Sequence, residues 1–181
     1  MSYVDEDGFR ANVGIIVISG CDRVLIGGRT GAGGWQFPQG GIHCHESIEV
    51  AMYRELNEEI GLKTKDVEMI GVTQGWLRYR LPERYVRRKQ TPVCIGQKQR
   101  WFLLRLLGKP ELIRFDATSE PEFDRCRWVD YWTPVKEVIY FKRQVYVRAL
   151  KELGPLAFPE NGPPLPPAWW PERWRLDPNC L

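Results

Sequence analysis

An α+β fold, in which helices cover both faces of a mixed β-sheet as an α/β/α sandwich, is the fold class that this sequence predicts. Short apolar or alternating stretches typical of strands recur along the chain. Two stretches instead repeat apolar residues every three or four positions, as amphipathic helices do, and strands surround both of them. The chain contains no internal repeat. Helices packed against one sheet therefore form the simplest arrangement.

Seven strands are predicted from short runs that are rich in β-branched or aromatic residues and bounded by turn residues. They cover residues 12–18, 23–27, 35–38, 67–73, 75–81, 97–107 and 125–129. The turn residues 19–22 join the first two strands, which we expect to pair as a hairpin. An apolar run over residues 101–104 indicates that the sixth strand is buried on both faces.

The first helix is predicted between Gly40 and Leu62, directly after a glycine-rich stretch. Ser47 is a suitable N-cap, and Gly61 is suited to the left-handed conformation that ends many helices. Apolar residues recur on the face expected to meet the core; they are Ile48, Ala51, Met52, Leu56 and Ile60.

Three carboxylates occupy another face of this helix. Glu55 and Glu59 are one turn apart, and Glu58 is three residues from Glu55, so the three side chains converge. Like charges at this spacing repel one another, and a bound cation removes that cost. Because Mg²⁺ prefers oxygen ligands and keeps positions for water and phosphate, we interpret the cluster as a magnesium site. A solvated acidic helix face is the plainer alternative.

The second helix is predicted over residues 142–153, with Val145, Ala149, Leu150 and Leu153 facing inward. Eight of the 14 prolines follow it, together with Trp169, Trp170 and Trp174. We therefore divide the chain into a domain over residues 1–153 and an extended, proline- and tryptophan-rich tail over residues 154–181. The tail is expected to be flexible or to pack on itself; a docking segment anchored by tryptophans is the alternative.

Composition excludes several classes of protein. A net charge of +3 over 181 residues does not indicate a strongly basic nucleic-acid-binding protein, so any basic surface must be local. Five cysteines without CxxC pairs argue against a disulfide framework and favour a reduced, cytoplasmic setting. No apolar run of membrane-spanning length and no signal-peptide pattern is present, so we expect no membrane association.

Basic and aromatic residues lie together in two places outside the acidic helix. The first place is Arg78-Tyr79-Arg80 with the basic segment 82–92, and the second is Phe141-Lys142-Arg143. Rings that stack on bases, beside cations that meet phosphates, suit a single-stranded nucleic acid. A solvated basic loop and a helix start with an exposed ring are the alternatives.

The segment from Gly40 to Leu62 matches the pattern GX5EX7REUXEEXGU, where U is a bulky aliphatic residue. This is the Nudix box, and the chain therefore resembles Nudix hydrolases, which use Mg²⁺ or Mn²⁺ to cleave diphosphate linkages. The resemblance implies that Glu55, Glu58 and Glu59 are metal ligands. It implies that Arg54 and Glu46 brace the loop against the helix. His43-Cys44-His45 stands where many relatives have a Pro-Gly turn.

The resemblance extends over roughly residues 7–153 and is greatest to the bacterial RNA pyrophosphohydrolase branch, which is similar to plant-type diadenosine tetraphosphate hydrolases. The segments that carry it are Asp7-Gly8-Phe9-Arg10 with Asn12-Val13-Gly14, residues 35–41, 76–79 and 92–99, Pro121-Glu122-Phe123-Asp124 and Phe141-Lys142-Arg143. This branch converts the 5′-triphosphate end of single-stranded RNA to a 5′-monophosphate and thereby initiates messenger decay.

Further site roles follow from the same resemblance. Arg10 and Arg29 would contact the 5′ phosphates, and Phe141 with Lys142 would hold the first bases or the backbone. Glu122 would be an additional metal ligand or a carboxylate that orients water. Further substrate contacts are implied for Gln39, Gly40, Gly41, Arg78, Tyr79 and Gln97.

Three functions thus remain open. The chain is expected to hydrolyse RNA 5′ ends, to hydrolyse dinucleoside polyphosphates such as diadenosine tetraphosphate to ATP and AMP, or to bind RNA or nucleotides without catalysis. The intact carboxylate set disfavours the third. A zinc site at His43-Cys44-His45 is a weaker alternative, because adjacent ligands without a second cluster make a poor structural zinc site.

Overall fold

Eight strands and four α-helices form the part of the chain described by the computed structural model, residues 4–31 and 33–176. The strands are β1 (Phe9–Ile18), β2 (Val24–Arg29), β3 (Trp35–Gln36), β4 (Gln39–Gly41), β5 (Val67–Val72), β6 (Leu77–Arg80), β7 (Gly96–Leu106) and β8 (Phe123–Val129). The helices are α1 (Ile48–Ile60), α2 (Thr133–Glu137), α3 (Arg143–Ala157) and α4 (Glu172–Leu176). Across these described residues, no helix combines the length and the apolar character needed to span a membrane.

All eight strands belong to one mixed sheet. Its central order is β3-β2-β1-β7-β5, while β4 pairs with β1, β6 with β7 and β8 with β2. β1 and β7 run parallel over ten residue pairs, and the other pairings are antiparallel. With α1 on one face and α3 on the other, the α/β/α sandwich predicted from the sequence is confirmed.

The predicted hairpin of the first two strands is confirmed, but its pairing is very short. β1 and β2 share the single pair Ile18↔Val24, whereas β2 pairs with β8 along its whole length and with β3 near its end. β1 instead lies between β7 and β4, where its apolar side chains are buried on both faces. A strand buried on both faces suits a parallel partner, and that partner is too distant in sequence for local turn residues to reveal it.

Helix α1 begins and ends where the sequence predicts. The Ser47 hydroxyl accepts a hydrogen bond from Val50 N at 3.2 Å. Gly61 has a φ of 72° and its N–H bonds to the Asn57 carbonyl at 2.9 Å. The predicted apolar face meets the sheet: Ala51, Met52, Leu56 and Ile60 are fully buried, and Ile48 packs against the same cluster. The opposite face of α1 is exposed to solvent at Glu49 and Val50.

The central strand β7 connects the two layers of the core. Trp101 and Leu103 belong to the cluster under α3, whereas Phe102 and Leu104 belong to the cluster under α1. All four are nearly inaccessible to solvent, which confirms the predicted burial on both faces. The sheet therefore fixes the positions of both helical layers.

The C-terminal residues fold back on the domain. α3 continues to Ala157, so the predicted boundary after Leu153 falls within a helix. The Trp132 indole N–H donates to the Pro164 carbonyl at 2.7 Å, and the Trp170 ring lies 4.9 Å from that of Trp132. Within residues 154–176 the chain thus packs against the domain, and the division into a domain and a tail remains a prediction. Residues 177–181 lie outside the described part.

The tryptophans of this segment differ in exposure. Trp170 and Trp174 are buried, with 3% and 8% exposure, whereas Trp169 is 46% exposed. Burial makes the first two part of the core cluster under α3. Docking by way of tryptophan anchors remains a prediction, and Trp169 is the ring of the three that a partner can reach.

Replacing Trp170 by alanine should therefore destabilise the whole domain. Loss of a buried tryptophan costs about 3 kcal/mol, which lowers Tm by roughly 6–12 °C in a chain of this size. Differential scanning calorimetry measures the change. Trp169→Ala is the matched control and should move Tm by much less. Equal small shifts in both variants would mean that this segment does not contribute to the core.

Candidate active site

Arg54 on α1 joins the helix to the chain that precedes it. Its Nη2 donates to Glu46 Oε1 at 2.6 Å and to the Gly41 carbonyl at 2.8 Å, and its Nε donates to Glu46 Oε2 at 3.1 Å. Its Nη1 donates to Glu55 at 2.7 Å and to Glu58 at 3.2 Å. The hydrogen bond from Arg54 lowers the pKa of Glu46 below its ordinary value. The Arg54 guanidinium thus holds the loop before α1 in place and compensates the negative charge of Glu55 and Glu58.

Glu55 lies against the glycine-rich chain before the helix. It is buried, and burial raises the pKa of its carboxyl, although the hydrogen bond from Arg54 acts in the opposite direction. A Cβ atom at Gly40 would overlap the Glu55 carboxylate. Glycine is therefore required at that position for the carboxylate to lie against β4.

Glu59 is the most deeply buried carboxylate of the helix. It accepts a hydrogen bond from Gln39 N at 2.9 Å. Burial raises its pKa well above the ordinary value, and the charge of Glu122 and a hydrogen bond between the two carboxyl groups raise it further. Glu122 also accepts from Gln36 Nε2 at 2.9 Å and lies 3.6 Å from Arg29 Nε. Two carboxylates so close repel each other when both are charged, which favours the protonated form of Glu59.

These carboxylates suit a divalent cation. They supply hard oxygen donors, and a cation would balance the repulsion between buried Glu59 and its neighbour Glu122. Glu55 and Glu58 are directed to Arg54 instead. Accordingly, no group of three or more His, Cys, Asp or Glu side chains within the described ranges is already arranged as a metal site. The carboxylate oxygens can bind a cation if Glu55 and Glu58 give up their ion pairs with Arg54 and bind the cation instead.

The alternative zinc site has no geometric support among the described residues. His43 Nδ1 lies 3.8 Å from Glu46, and His43, Cys44 and His45 are all exposed on the loop before α1. His45 adopts a positive φ of 72°, which turns the chain at the place where relatives were expected to have Pro-Gly.

A polar cavity of about 520 Å³ opens beside the carboxylates, at the end of β1, β4, β6 and β7. Eleven predicted site residues line it: Arg10, Arg29, Gln39, Gly40, Gly41, Glu55, Tyr79, Gln97, Glu122, Phe141 and Lys142. Three buried atoms on its walls, Arg10 Nε, Asn12 Nδ2 and Gln97 Oε1, have no hydrogen-bond partner within residues 4–31 and 33–176. Unpaired buried polar atoms are costly, so these walls suit a strongly polar ligand.

Lys142 closes one side of this cavity and is itself almost fully buried. Its Nζ donates to Gln36 Oε1 and to Gln39 Oε1, both at 3.2 Å. Burial lowers its pKa to about 8, although the charge of Glu122 acts in the opposite direction. A lysine so placed gains charge when an anion enters.

Aromatic rings border the other side of the cavity. The Phe141 ring lies 5.8 Å from that of Tyr79 and 5.4 Å from that of Tyr85. Arg84 lies over Tyr85, with its Cζ 5.0 Å from the ring centre. Aromatic rings beside cations suit the base and phosphate of a nucleotide.

Five predicted site residues do not line the cavity. Glu46, Arg54, Glu58 and Glu59 lie behind its wall on and before α1. Arg78 lies on the opposite face of β6 from Tyr79, where it stacks on Phe9 and lies 3.7 Å from Asp7. Alternate residues of a strand point to opposite faces, so Arg78 and Tyr79 cannot both face one cavity.

The cavity also includes four residues that were not among the predicted contacts: Asn12, Gln36, Leu81 and Arg87. Asn12 interrupts an apolar strand and pairs with Gln99 across β1 and β7, where Gln99 Nε2 donates to Asn12 Oδ1 at 3.0 Å. A polar residue in each of two otherwise apolar strands was the sequence feature that could have indicated a site at this position. Arg87 belongs to the basic segment 82–92.

Removal of the Glu59 charge should stabilise the protein without metal and abolish stabilisation by metal. In EDTA at pH 8, the free energy of unfolding of Glu59→Gln is expected to exceed that of wild type by on the order of 1 kcal/mol, because the variant has no desolvated carboxylate at this position. Added MgCl2 should raise the Tm of wild type but not that of the variant. Thermal denaturation measures both. Glu49→Gln, on the exposed face of the same helix, is the control and should behave like wild type. If Glu59→Gln also matched wild type in both conditions, the assignment of Glu59 as a metal ligand would be wrong.

Known proteins share both this sequence and this fold. The NUDIX domain family matches residues 8–150. A protein of Alkalilimnicola ehrlichii named RNA pyrophosphohydrolase is 57% identical over 170 residues, 94% of each chain. A Pseudomonas putida protein of the same name is 58% identical over 152 residues, 84% of this chain and 96% of the relative.

Solved structures share the architecture at much lower identity. The E. coli dihydroneopterin triphosphate pyrophosphohydrolase has a TM-score of 0.62 and 19% identity, over 78% of this chain and 92% of its own. A C. elegans Ap4A hydrolase has a TM-score of 0.56 and 15% identity, over 77% and 93%. These two structures support the fold alone. The domain match, together with the two high-identity relatives, shows that the chain belongs to the Nudix hydrolase family.

Proposed function

We propose that this Nudix hydrolase converts the 5′-terminal triphosphate of single-stranded RNA to a 5′-monophosphate, releasing pyrophosphate or successive phosphates, and so initiates messenger decay. The observation that carries the proposal is the polar cavity. Four cationic side chains line it, Arg10, Arg29, Arg87 and Lys142, and its aromatic border lies at Phe141. Relatives of more than 55% identity that are named RNA pyrophosphohydrolase support it.

The positive charge of the cavity suits a polyphosphate. The four cationic side chains line the same cavity as Glu55 and Glu122, so a phosphate chain within it would meet both cations and candidate metal ligands. Arginine guanidinium groups bind phosphate oxygens in a bidentate manner. Buried Lys142 would add a charge that strengthens when the anion is bound.

Nudix hydrolases generally use divalent cations, and we propose Mg²⁺, with Mn²⁺ as a substitute, held by Glu55, Glu58, Glu59 and Glu122. When bound, the cation supplies charge that stabilises the leaving phosphate and makes an attacking water more acidic. Release from Arg54 would free the Glu55 and Glu58 oxygens for it.

The chain's own residues perform the remaining steps. Glu122 lines the cavity whereas Glu59 lies behind it, so Glu122 is the better placed of the two to take the proton from the water that attacks phosphorus. Gln36 and Arg29 hold Glu122 in orientation. Arg10, Arg29 and Arg87 would neutralise charge that develops on the phosphate oxygens.

The first nucleotides would lie between Phe141 and the basic segment 82–92. Phe141 is half-buried among Tyr79, Tyr85 and Tyr140, and a base could contact the part of the ring that stays exposed. A cytoplasmic setting remains a prediction that suits an RNA substrate.

A direct competition tests this substrate against its main rival. The full chain is incubated in MgCl2 with 5′-triphosphorylated RNA and diadenosine tetraphosphate together, and products are separated by chromatography. We expect faster turnover of RNA, with 5′-monophosphate ends. Glu58→Gln is the blank and should lose on the order of a hundredfold in kcat/KM. Preferential release of ATP and AMP would instead identify a dinucleoside polyphosphate hydrolase, and absence of both products a binding protein.

Lys142 should impose an alkaline limit on RNA hydrolysis. Its pKa of about 8 means that its charge is present below that pH and is lost as pH rises through it. We expect kcat/KM, which reports groups of the free enzyme, to fall over this interval. Lys142→Arg keeps the charge and should displace the limit to higher pH. Initial rates between pH 7 and 9.5 measure it, and an unchanged limit in Lys142→Arg would exclude Lys142 as its source.

A further inference from the structure

A row of side chains crosses three neighbouring strands at the rim of the cavity. Gly28 on β2 pairs with Trp35 on β3 and with Arg125 on β8. A Cβ atom at Gly28 would lie 2.7 Å from Arg125 Cγ. Because glycine leaves this space, the Arg125 side chain lies across β2 and brings its Cζ within 5.3 Å of the Trp35 ring centre.

A second arginine stacks on the same ring. Arg127 lies two residues further along β8, and its Cζ is 3.8 Å from the Trp35 ring centre. The side chains of Arg125 and Arg127 are 50% and 42% exposed. We call Trp35, Arg125 and Arg127 the arginine shelf: two solvent-accessible guanidinium groups held in orientation by one indole.

The arginine shelf continues the path that leads out of the candidate active site. Trp35 lines a cavity of about 550 Å³ together with Arg29, Phe141 and Lys142. Those last three residues also line the polar cavity described above. A chain whose 5′ phosphates occupy the polar cavity and whose first bases lie at Phe141 would therefore leave across Trp35.

The acidic partners of the arginine shelf leave it available to a polyanion. Arg125 Nη1 lies 2.6 Å from Asp124, and Arg127 Nη2 lies 3.2 Å from Glu137. Both ion pairs are at the surface, where such pairs contribute little to stability. A phosphate group, which accepts two parallel hydrogen bonds from a guanidinium, competes with a carboxylate for the same donors.

We infer that the arginine shelf binds the backbone of the RNA chain beyond the nucleotides held at Phe141. This inference rests on the proposed function and adds a binding surface to it. The contact is to phosphates and not to base edges, so it favours longer single-stranded substrates without selecting their sequence.

The test compares two lengths of one substrate class. kcat/KM is measured in MgCl2 for a 5′-triphosphorylated dinucleotide, which ends at Phe141, and for a ten-nucleotide RNA with the same 5′ end. We expect wild type to prefer the longer RNA. The ratio of the two values should fall about 3- to 10-fold in Arg125→Ala and further in Arg125→Glu. Arg23→Ala removes an equally exposed, ion-paired arginine from the distant end of β2 and should keep the wild-type ratio.

Salt dependence supplies a second measurement that a merely structural role would not change. Binding of 3′-labelled RNA to Arg125→Ala, followed by anisotropy, should show a slope of log Kd against log salt that is smaller by about 0.7, the value for one lost phosphate contact. If Arg125→Ala reduced activity on both lengths equally together with Tm, the shelf would be a structural brace. If it changed neither the length ratio nor the slope, the inference would also be wrong. Failure of wild type on RNA of either length would refute the proposed function itself.

Discussion

The hydrogen bonds of Arg54 determine how the site is assembled. A single guanidinium donates to Glu46 and to the Gly41 carbonyl, and so ties the loop before α1 to the helix. It also donates to Glu55 and Glu58 and so fixes both carboxylates on the helix. Because the apolar face of α1 is buried against the sheet, the helix cannot turn to relieve this arrangement. The carboxylates therefore have a fixed place beside β4 and the polar cavity.

The same arrangement explains why several charged groups are far from their ordinary pKa. Glu55 and Glu59 are buried beside other carboxylates, which raises the pKa of both, and burial lowers the pKa of Lys142. Such groups are destabilising in an isolated protein, since charge is removed from water without full compensation. Cations and phosphates supply the missing compensation in the account proposed here. A site that is strained in isolation is then stabilised by metal and substrate.

Much of the fold could be predicted from the sequence where a local signal exists. Ser47 and Gly61 mark the ends of α1 by their own hydrogen-bonding and backbone chemistry, and the run over residues 101–104 indicates a strand buried on both faces. The parallel pairing of β1 with β7 carries no such local signal. The packing of Trp170 against Trp132 has no local sequence signal either, because a proline-rich composition suggests an extended chain.

The candidate site divides in the same way. The spacing of Glu55, Glu58 and Glu59 places them on one helix face, but it does not reveal that Arg54 contacts two of them. Arg78 and Tyr79 are adjacent in sequence, yet strand geometry directs them to opposite faces. Gln36 and Asn12 reach the cavity through the pairing of distant strands, which sequence periodicity cannot resolve.

Anomalous diffraction from crystals grown with MnCl2 and a non-hydrolysable 5′-triphosphorylated dinucleotide tests the central claim most directly. We expect anomalous density in contact with Glu55, Glu58 and Glu59. At least one of the hydrogen bonds from Arg54 to Glu55 and Glu58 should then be broken. The phosphates should lie between that density and Arg10, Arg29 and Lys142. Density at another place, or phosphates outside the polar cavity, would contradict the account.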